Sequence, residues 1–446
     1  MSTSTNQLMP AYDFDSNDSS TLLKQIPIKI RINGNSYDCT AKVKLDLFSN
    51  SNICLYFNLD VPLLDFLKVY TGDDLEIPLY INGHDIEGFL CVEEEKKIEP
   101  GVLNIKWYPI MEPIIGSGDK TTKIEQAIFH LFNFVNIPGN RCPTEQDDTT
   151  INTINYIDIE TEEWKIEIRS LKITSKNIRY LGKIGGYKLT HIGCIRRSGG
   201  IQFTGEDLDE CLDAIRFALS FVKGGWCEPI CAVGYDALKE RVWEKWNSPM
   251  EAWYNTFSWV DPRENSQLPL FFSCFMKMWS LDNWSRTLHK VIYWYLNANF
   301  SSRDINVGII LTQAALECLS YQFLVEDRKC MTTKTFKKLW ASEKFRLLFS
   351  SLRIPLDIPP ETSNLQKLAN IEQWDAPRIL TEIRNSLVHP EHNKCEQSSS
   401  TYYEAWNLGL WYLEMGILAV CGYNGVYRNR LKQQRGEQIE NVPWFS

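Results

Sequence analysis

The spacing of hydrophobic residues changes once along this chain, and that change limits the folds open to it. From Thr21 to about Ile115, short apolar runs alternate with polar residues between turn residues; after about Met278, apolar positions recur every three or four residues. The first pattern belongs to strands and the second to helices. The expectation is an α+β multidomain protein, with N-terminal β-rich and α+β regions followed by a C-terminal all-α helical bundle. With 446 residues, the chain is long enough for two or three cores. The boundaries read as a disordered tail over 1–20, a β-rich domain over 21–140, an α+β region over 141–277 and a helical domain over 278–446.

In the first domain, Asn33-Gly34 lies between two strand-like runs, and Asn82-Gly83 opens a second tight connection. Both pairs suit turns that need positive φ. The domain should be an antiparallel sheet or a barrel-like sandwich. Lys120 to Val135 carries Ile124, Ala127, Ile128, Leu131 and Phe132 at helical spacing, which predicts a helix. Ile137 to Trp164 is polar and acidic with Pro138 and Gly139, and is expected to be a linker. Short strands return from Lys165 to Phe203, where His191, Arg196 and Arg197 either bind an anion or form a solvated strand edge. Thr204 and Asp207 have the spacing of a capping box for a helix that Gly224-Gly225 ends.

Composition excludes several functions. The net charge of −9 argues against a surface that coats nucleic acid, because phosphate binding relies on Lys and Arg. Any RNA contact must be local. Thirteen cysteines without regular spacing suit reduced thiols in a cytoplasmic protein. Cys227 and Cys231 form a C-x3-C with no second ligand pair nearby, so they are expected to be buried cysteines and no metal is assigned. The N-terminus lacks the basic and apolar segments of a signal peptide. Ala405 to Tyr423 is the most membrane-like run, but Asn407 and Glu414 interrupt it, so a buried core helix is expected and no membrane partner. The 15 tryptophans cluster from Trp226 onward and are expected to pack cores, with base stacking the alternative.

Five helices are predicted in the C-terminal domain: Asn283 to Asn297, Ile305 to Leu324, Thr335 to Leu352, the segment DAPRILTEIRNSLVHPE from Asp375 to Glu391, and Thr401 to Cys421. In the fourth, Ile379, Leu380, Ile383 and Leu387 share one face; Asp375 suits the N-cap and Pro377 the first turn. Pro390 stops this helix and pushes His389 out of the α region, so His389 belongs at the terminus. Asn385 and His389 share a face as an i,i+4 pair, with Arg384 between that face and the apolar stripe. Residues 392–400, rich in serine, are expected to form a flexible connection beside the motif.

A helix-ending R-N-S-L-V-H-P within an all-helical C-terminal region resembles the HEPN superfamily, whose motif is Arg-polar-x3-His with Asn common at the polar position. The resemblance runs over about Trp279 to Trp444, including the run YYEAWNLGLWYLEMGILAVCGYNGVYRNRL, and is most similar to the ApeA-type HEPN proteins of bacterial anti-phage defence. It implies a metal-independent endoribonuclease that leaves 2′,3′-cyclic phosphate and 5′-hydroxyl ends and acts in abortive infection. Arg384, Asn385 and His389 would be catalytic, without a cofactor. It also implies a dimer, or a dimer of dimers, in which two motifs form one cleft. RNA, including tRNA, is the implied substrate, and a phage-derived component the implied trigger, sensed by the N-terminal regions.

Around this motif, Glu317 is a candidate partner of Arg384 or His389. Arg428, Arg430, Lys432 and Arg435 form a basic run that either holds RNA phosphates or is a solvated helix end. Lys394 and Tyr402 are too generic to receive a role. The alternative is a non-catalytic HEPN scaffold that binds nucleotide or protein. An RNA-guided nuclease fits poorly, because a guide needs an extended positive channel and this chain is acidic.

Overall fold

The computed structural model describes residues 8–14, 20–47, 51–60, 62, 75–92, 102–134, 140–143, 153–171, 181–183, 185–261, 263–301, 304–389, 397–432 and 438–445. The chain is mixed α/β, with two antiparallel sheets first and helices after them.

The first sheet contains β1 (Ser20–Ile32), β2 (Asn35–Asp46), β3 (Asn52–Asp60), β4 (Leu75–Glu76), β5 (Leu79–Ile81), β6 (His84–Ile86), β7 (Gly88–Val92) and β8 (Val102–Pro109). They lie in the order β4-β7-β8-β3-β2-β1-β5-β6. Alternation is clear in β1, where Ile26, Ile28, Ile30 and Ile32 are buried between exposed polar residues. Both predicted turns are present. Asn33 and Gly34 have φ of 52° and 82° and join β1 to β2; Asn82 and Gly83 have φ of 47° and 86° and join β5 to β6. Positive φ at both central residues gives a hairpin turn whose twist matches its strands.

The second sheet contains β9 (Ile114–Ser117), β11 (Gln126–Phe132), β12 (Asn140–Pro143), β13 (Thr153–Glu160), β14 (Trp164–Ser170), β15 (Leu189–Arg197), β17 (Ile230–Tyr235) and β18 (Arg241–Trp246). Its order is β12-β13-β14-β15-β11-β17-β18-β9. A two-stranded pair, β10 (Lys123–Ile124) with β16 (Phe203–Thr204), leads into helix α1 (Gly205–Lys223). Thr204 and Asp207 make the predicted capping box, and Gly224 closes the helix at φ 76°.

The helix expected over 120–135 is therefore a strand. The central strand β11 is buried on both faces: Ala127, Phe129 and Leu131 join one core, Ile128 and Phe132 the other. Such a strand reads as a continuous apolar run, which also satisfies helical spacing. The linker expected over 137–164 contains β12 and β13. β15 lies inside the sheet, so its basic residues are not on a solvated edge.

The second sheet is the middle layer of the molecule. One face packs on the first sheet; the other packs on α1 and the C-terminal helices in one continuous core. The supposed tail belongs to this assembly too. Residues 8–14 lie in place, with Ala11 and Tyr12 buried. The Ala11 N–H donates to Nε2 of His130 at 2.9 Å, and the other ring nitrogen of His130 is 2.9 Å from the Ile230 carbonyl. Burial lowers the pKa of His130 to about 4, so the ring stays neutral and can accept that bond.

The helical part comprises α2 (Gln267–Trp279), α3 (Asp282–Phe300), α4 (Ile305–Tyr321), α5 (Thr333–Phe336), α6 (Ala341–Ser351), α7 (Ser363–Glu372), α8 (Ala376–Val388) and α9 (Ser399–Val420), then a hairpin of β19 (Val426–Arg428) and β20 (Ile439–Asn441). The predicted third helix divides into α5 and α6, while α2, α7 and the hairpin were not expected. Helix α4 continues as a π-helical turn over Gln322–Asp327. Together they form the one stretch among the described residues long and apolar enough to cross a membrane, and most of it is buried. The run expected to be most membrane-like is core helix α9, buried on all sides from Leu408 to Leu418. It lies close to α4: an added Cβ at Gly409 would come within 2.8 Å of Thr312, and one at Gly308 within 2.5 Å of Trp406.

Candidate functional site

The motif helix α8 is fixed at its start by a cap and an ion pair. Asp375 caps it by accepting the Arg378 N–H at 3.0 Å, and also holds the guanidinium of Arg346 on α6. Pro377 sits in the first turn, where no intrahelical N–H is needed. Ile379, Leu380 and Ile383 are buried, and Arg378 pairs with Glu382 at 2.7 Å. The apolar face thus sets the rotation of the helix, and that rotation decides where the polar residues emerge.

At the other end Arg384 and Asn385 are half-buried and His389 is exposed. Asn385 touches both neighbours. Its side-chain oxygen accepts from Nη1 of Arg384 at 3.4 Å, and its backbone carbonyl accepts the His389 N–H at 2.9 Å. His389 has left the helix, with φ −119° and ψ 108°, as expected for a residue before proline. Nε of Arg384 is sealed from solvent and has no hydrogen-bond partner among the described residues. The three predicted residues therefore lie along the last turn of α8, with a side-chain bond between Arg384 and Asn385 and a backbone bond from His389, and among the described residues the Arg384 Nε is unused. Pro390 and Lys394 lie outside the described residues. So does most of the connection expected over 392–400, but Ser398 caps α9 and Ser399 and Ser400 begin it.

Other candidates are engaged elsewhere. Glu317 pairs with Lys344 on α6 at 2.5 Å, and no bond to Arg384 or His389 is formed among the described residues. Tyr402 is half-buried against the core. The basic run is not a solvated helix end, since Arg428 closes strand β19. Arg430 is buried and grips Glu414 through Nη2 at 2.5 Å and Nε at 3.1 Å. Arg428 lies over the Phe257 ring and donates to Gln438, and Lys432 pairs with Glu440. Arg435 lies outside the described residues.

His191 is buried, and desolvation lowers its pKa to about 3. Arg196 donates to Gln126, while Arg197 lies over Trp164 and near Glu163 and Asp207. No anion site is formed from these three. Cys227 and Cys231 are buried thiols, with Cys227 raised to about 12 by burial. Among the described residues, no group of three or more His, Cys, Asp or Glu is placed to hold a metal.

The molecule is thus a mixed α/β protein whose C-terminal helices carry an Arg-Asn-His cluster at one helix end. Residues 281–440, which include that cluster, match the family model described as the YopA C-terminal domain; residues 119–256, the middle sheet with α1, match the YopA central domain. The SPbeta prophage-derived uncharacterized protein YopA of Bacillus subtilis (strain 168) is 29% identical over 328 residues, covering 72% of this chain and 73% of that protein. No solved structure matches the chain.

Sequence reasoning missed a second cluster of polar residues, Asp213, Arg216 and Glu228, on α1 and in the loop before β17. No motif marks it: Asp213 and Arg216 are neighbours on α1, and Glu228 joins them only through the turn of the chain after that helix.

Proposed function

We propose that the chain is a metal-independent endoribonuclease of HEPN type, with Arg384, Asn385 and His389 as its catalytic residues. The observation that carries this reading is the end of α8: a guanidinium with an unpartnered, desolvated Nε beside an asparagine, one turn before an exposed histidine. The reading is supported as well by helices α3, α4, α6, α8 and α9, which fall where five helices are expected from the sequence.

Cleavage of RNA without a metal needs the ribose 2′-hydroxyl deprotonated, the 5′-oxygen protonated and the charge on the phosphorane stabilised. His389 exchanges protons, since an imidazole titrates near neutral pH. Arg384 holds two phosphate oxygens through its planar fork. Asn385 orients the ribose or the imidazole. The products carry 2′,3′-cyclic phosphate and 5′-hydroxyl ends.

One His and one Arg supply half of these functions, so two copies of the chain pair their α8 ends in a dimer or a dimer of dimers. We read the protein as cytoplasmic, in keeping with the free thiols of its described cysteines. Its role is abortive infection, with the two sheets sensing a phage-derived trigger.

The test is incubation of the full chain with total RNA and with tRNA in EDTA, beside Arg384→Ala and His389→Ala. Wild type is expected to cut and both variants to lose about 10²-fold or more. Equal cutting by all three proteins would refute the reading, and binding without cleavage would favour a non-catalytic scaffold. Sedimentation reports the oligomeric state; a fully active monomer removes the shared site.

A further inference from the structure

Helix α1 packs between the second sheet and part of the C-terminal helices, and at one side it borders a cavity of about 420 Å³. The cavity lies at the joint of the two sheets, between the β8–β9 connection, α1, the loop before β17 and the residues that follow β18. One wall is already fixed: Glu112 accepts the Ile53 N–H at 2.7 Å through one oxygen and the Ser248 N–H at 2.6 Å through the other.

Three other charged groups are only partly used. Arg216 is held over Trp226, 5.0 Å from the ring centre. Its Nε is sealed from solvent without a hydrogen bond, the nearest carboxylate oxygen of Glu228 being 3.5 Å away. Its Nη2 reaches only the thioether of Met250, a weak acceptor, at 3.0 Å. Glu228 accepts one backbone bond, from Met250 at 3.1 Å. Asp213, three residues before Arg216 on the same helix, makes no hydrogen bond among the described residues, and the hydroxyl of Ser51 at the rim has none either. Burial raises both carboxylates, Glu228 to about 7, and the Arg216 guanidinium, 3.5 Å from Glu228, only partly offsets that desolvation.

We infer that this cavity binds a small aliphatic zwitterion of amino-acid type, its ammonium between Glu228 and Asp213 and its carboxylate on Arg216. A simple anion would face two carboxylates, and a simple cation would leave the guanidinium uncompensated. A nucleobase is disfavoured because no aromatic ring lines the cavity for it to stack on. Ile110, Leu212 and Met250 supply an apolar wall that suits an aliphatic side chain. The inference is independent of the RNase reading, since the cavity and α8 share no residue.

The experiment is calorimetry and thermal shift on the full chain, with each of the twenty protein amino acids as probe. Butylamine, butyrate and GMP serve as the half-ligands and the nucleotide control. At least one aliphatic amino acid is expected to raise Tm and titrate to saturation, while butylamine and butyrate at equal concentration do not. Arg216→Lys and Glu228→Gln, each checked for an unchanged circular dichroism spectrum, should weaken binding at least tenfold. The ammonium needs Glu228 ionised among Asp213, Arg216, Lys245 and Glu112, so affinity rises roughly tenfold from pH 6 to pH 8, with proton release. The proposal is overturned if no amino acid binds, if butylamine or butyrate alone matches the zwitterion, if GMP is the only binder, or if both variants bind as wild type.

Discussion

Arg384 and Arg430 carry the same side chain in the same helical region, and their surroundings are opposite. Arg430 is 1% exposed and opposed to a fully buried Glu414 by two bonds; Asn299 accepts a third at 3.0 Å. Tyr295 donates to the same carboxylate at 2.8 Å, and Phe257 covers the guanidinium at 4.7 Å. Arg384 has one long bond to its neighbour and an orphaned Nε. A buried guanidinium that gives three bonds to groups inside the fold holds the fold together. One with donors unanswered beside an exposed histidine has capacity for a phosphate.

The largest effect is expected at the satisfied end of this comparison. Arg430→Ala leaves Glu414 buried without its cation and should cost about 3 to 5 kcal/mol in urea unfolding. Replacing both partners, Arg430→Met with Glu414→Leu, should recover most of that loss, because the stranded charge is removed with its partner. A single variant within 1 kcal/mol of wild type by this measurement would mean that the pair is not structural, and the contrast with Arg384 would collapse.

Arg216 and Glu228 stand between the two extremes, with one loose contact at 3.5 Å. Burial raises Glu228 from 4.5 to about 7, so the folded chain holds that proton more tightly than the unfolded chain does. Stability from this group is therefore present below its unfolded pKa and is lost as pH rises through 7. Glu228→Gln removes the penalty. It should stabilise the chain by about 1 to 3 kcal/mol at pH 8 and by far less at pH 5, read from denaturant midpoints at the two pH values. The same gain at both would show that the carboxylate is ionised throughout.

The start of α8 offers a smaller test. Asp375→Ala removes the cap on the Arg378 N–H and the tie to Arg346, and should cost about 1 to 2 kcal/mol by thermal unfolding. Asp375→Asn keeps the cap and should cost less. Equal losses would put the weight on Arg346.

Local rules carried much of this fold. Asn33-Gly34, the Thr204–Asp207 box, Asp375 as N-cap and His389 as an extended C-cap were all legible, since each depends on residues within a few positions. What failed depends on distant neighbours. β11 is apolar on both sides because two cores meet across it, and a one-dimensional pattern cannot separate that from a helix. Ala11 and Tyr12 are ordered by His130 and Glu244, more than a hundred residues away. Arg430 looked like surface charge because Glu414, its partner, lies on the preceding helix and Asn299 on α3. The place of Arg384, Asn385 and His389 at the end of α8 was legible, whereas the state of Nε required the packing around it.

Arg384→Gln is expected to have the smallest effect on stability and still to be decisive. Glutamine keeps the β- and γ-carbons and a polar end on a shorter side chain, and removes a guanidinium that makes a single 3.4 Å bond and leaves one buried N–H unanswered among the described residues. The lost bond and the relieved orphan oppose each other, so unfolding should change by no more than about 0.5 kcal/mol in either direction. Under the RNase reading the same variant loses cleavage by about 10²-fold or more, because a neutral amide cannot hold the phosphorane's charge. If Arg384→Gln instead unfolds the chain as Arg430→Ala does, the guanidinium is a structural element of α8 and the comparison between the two arginines fails.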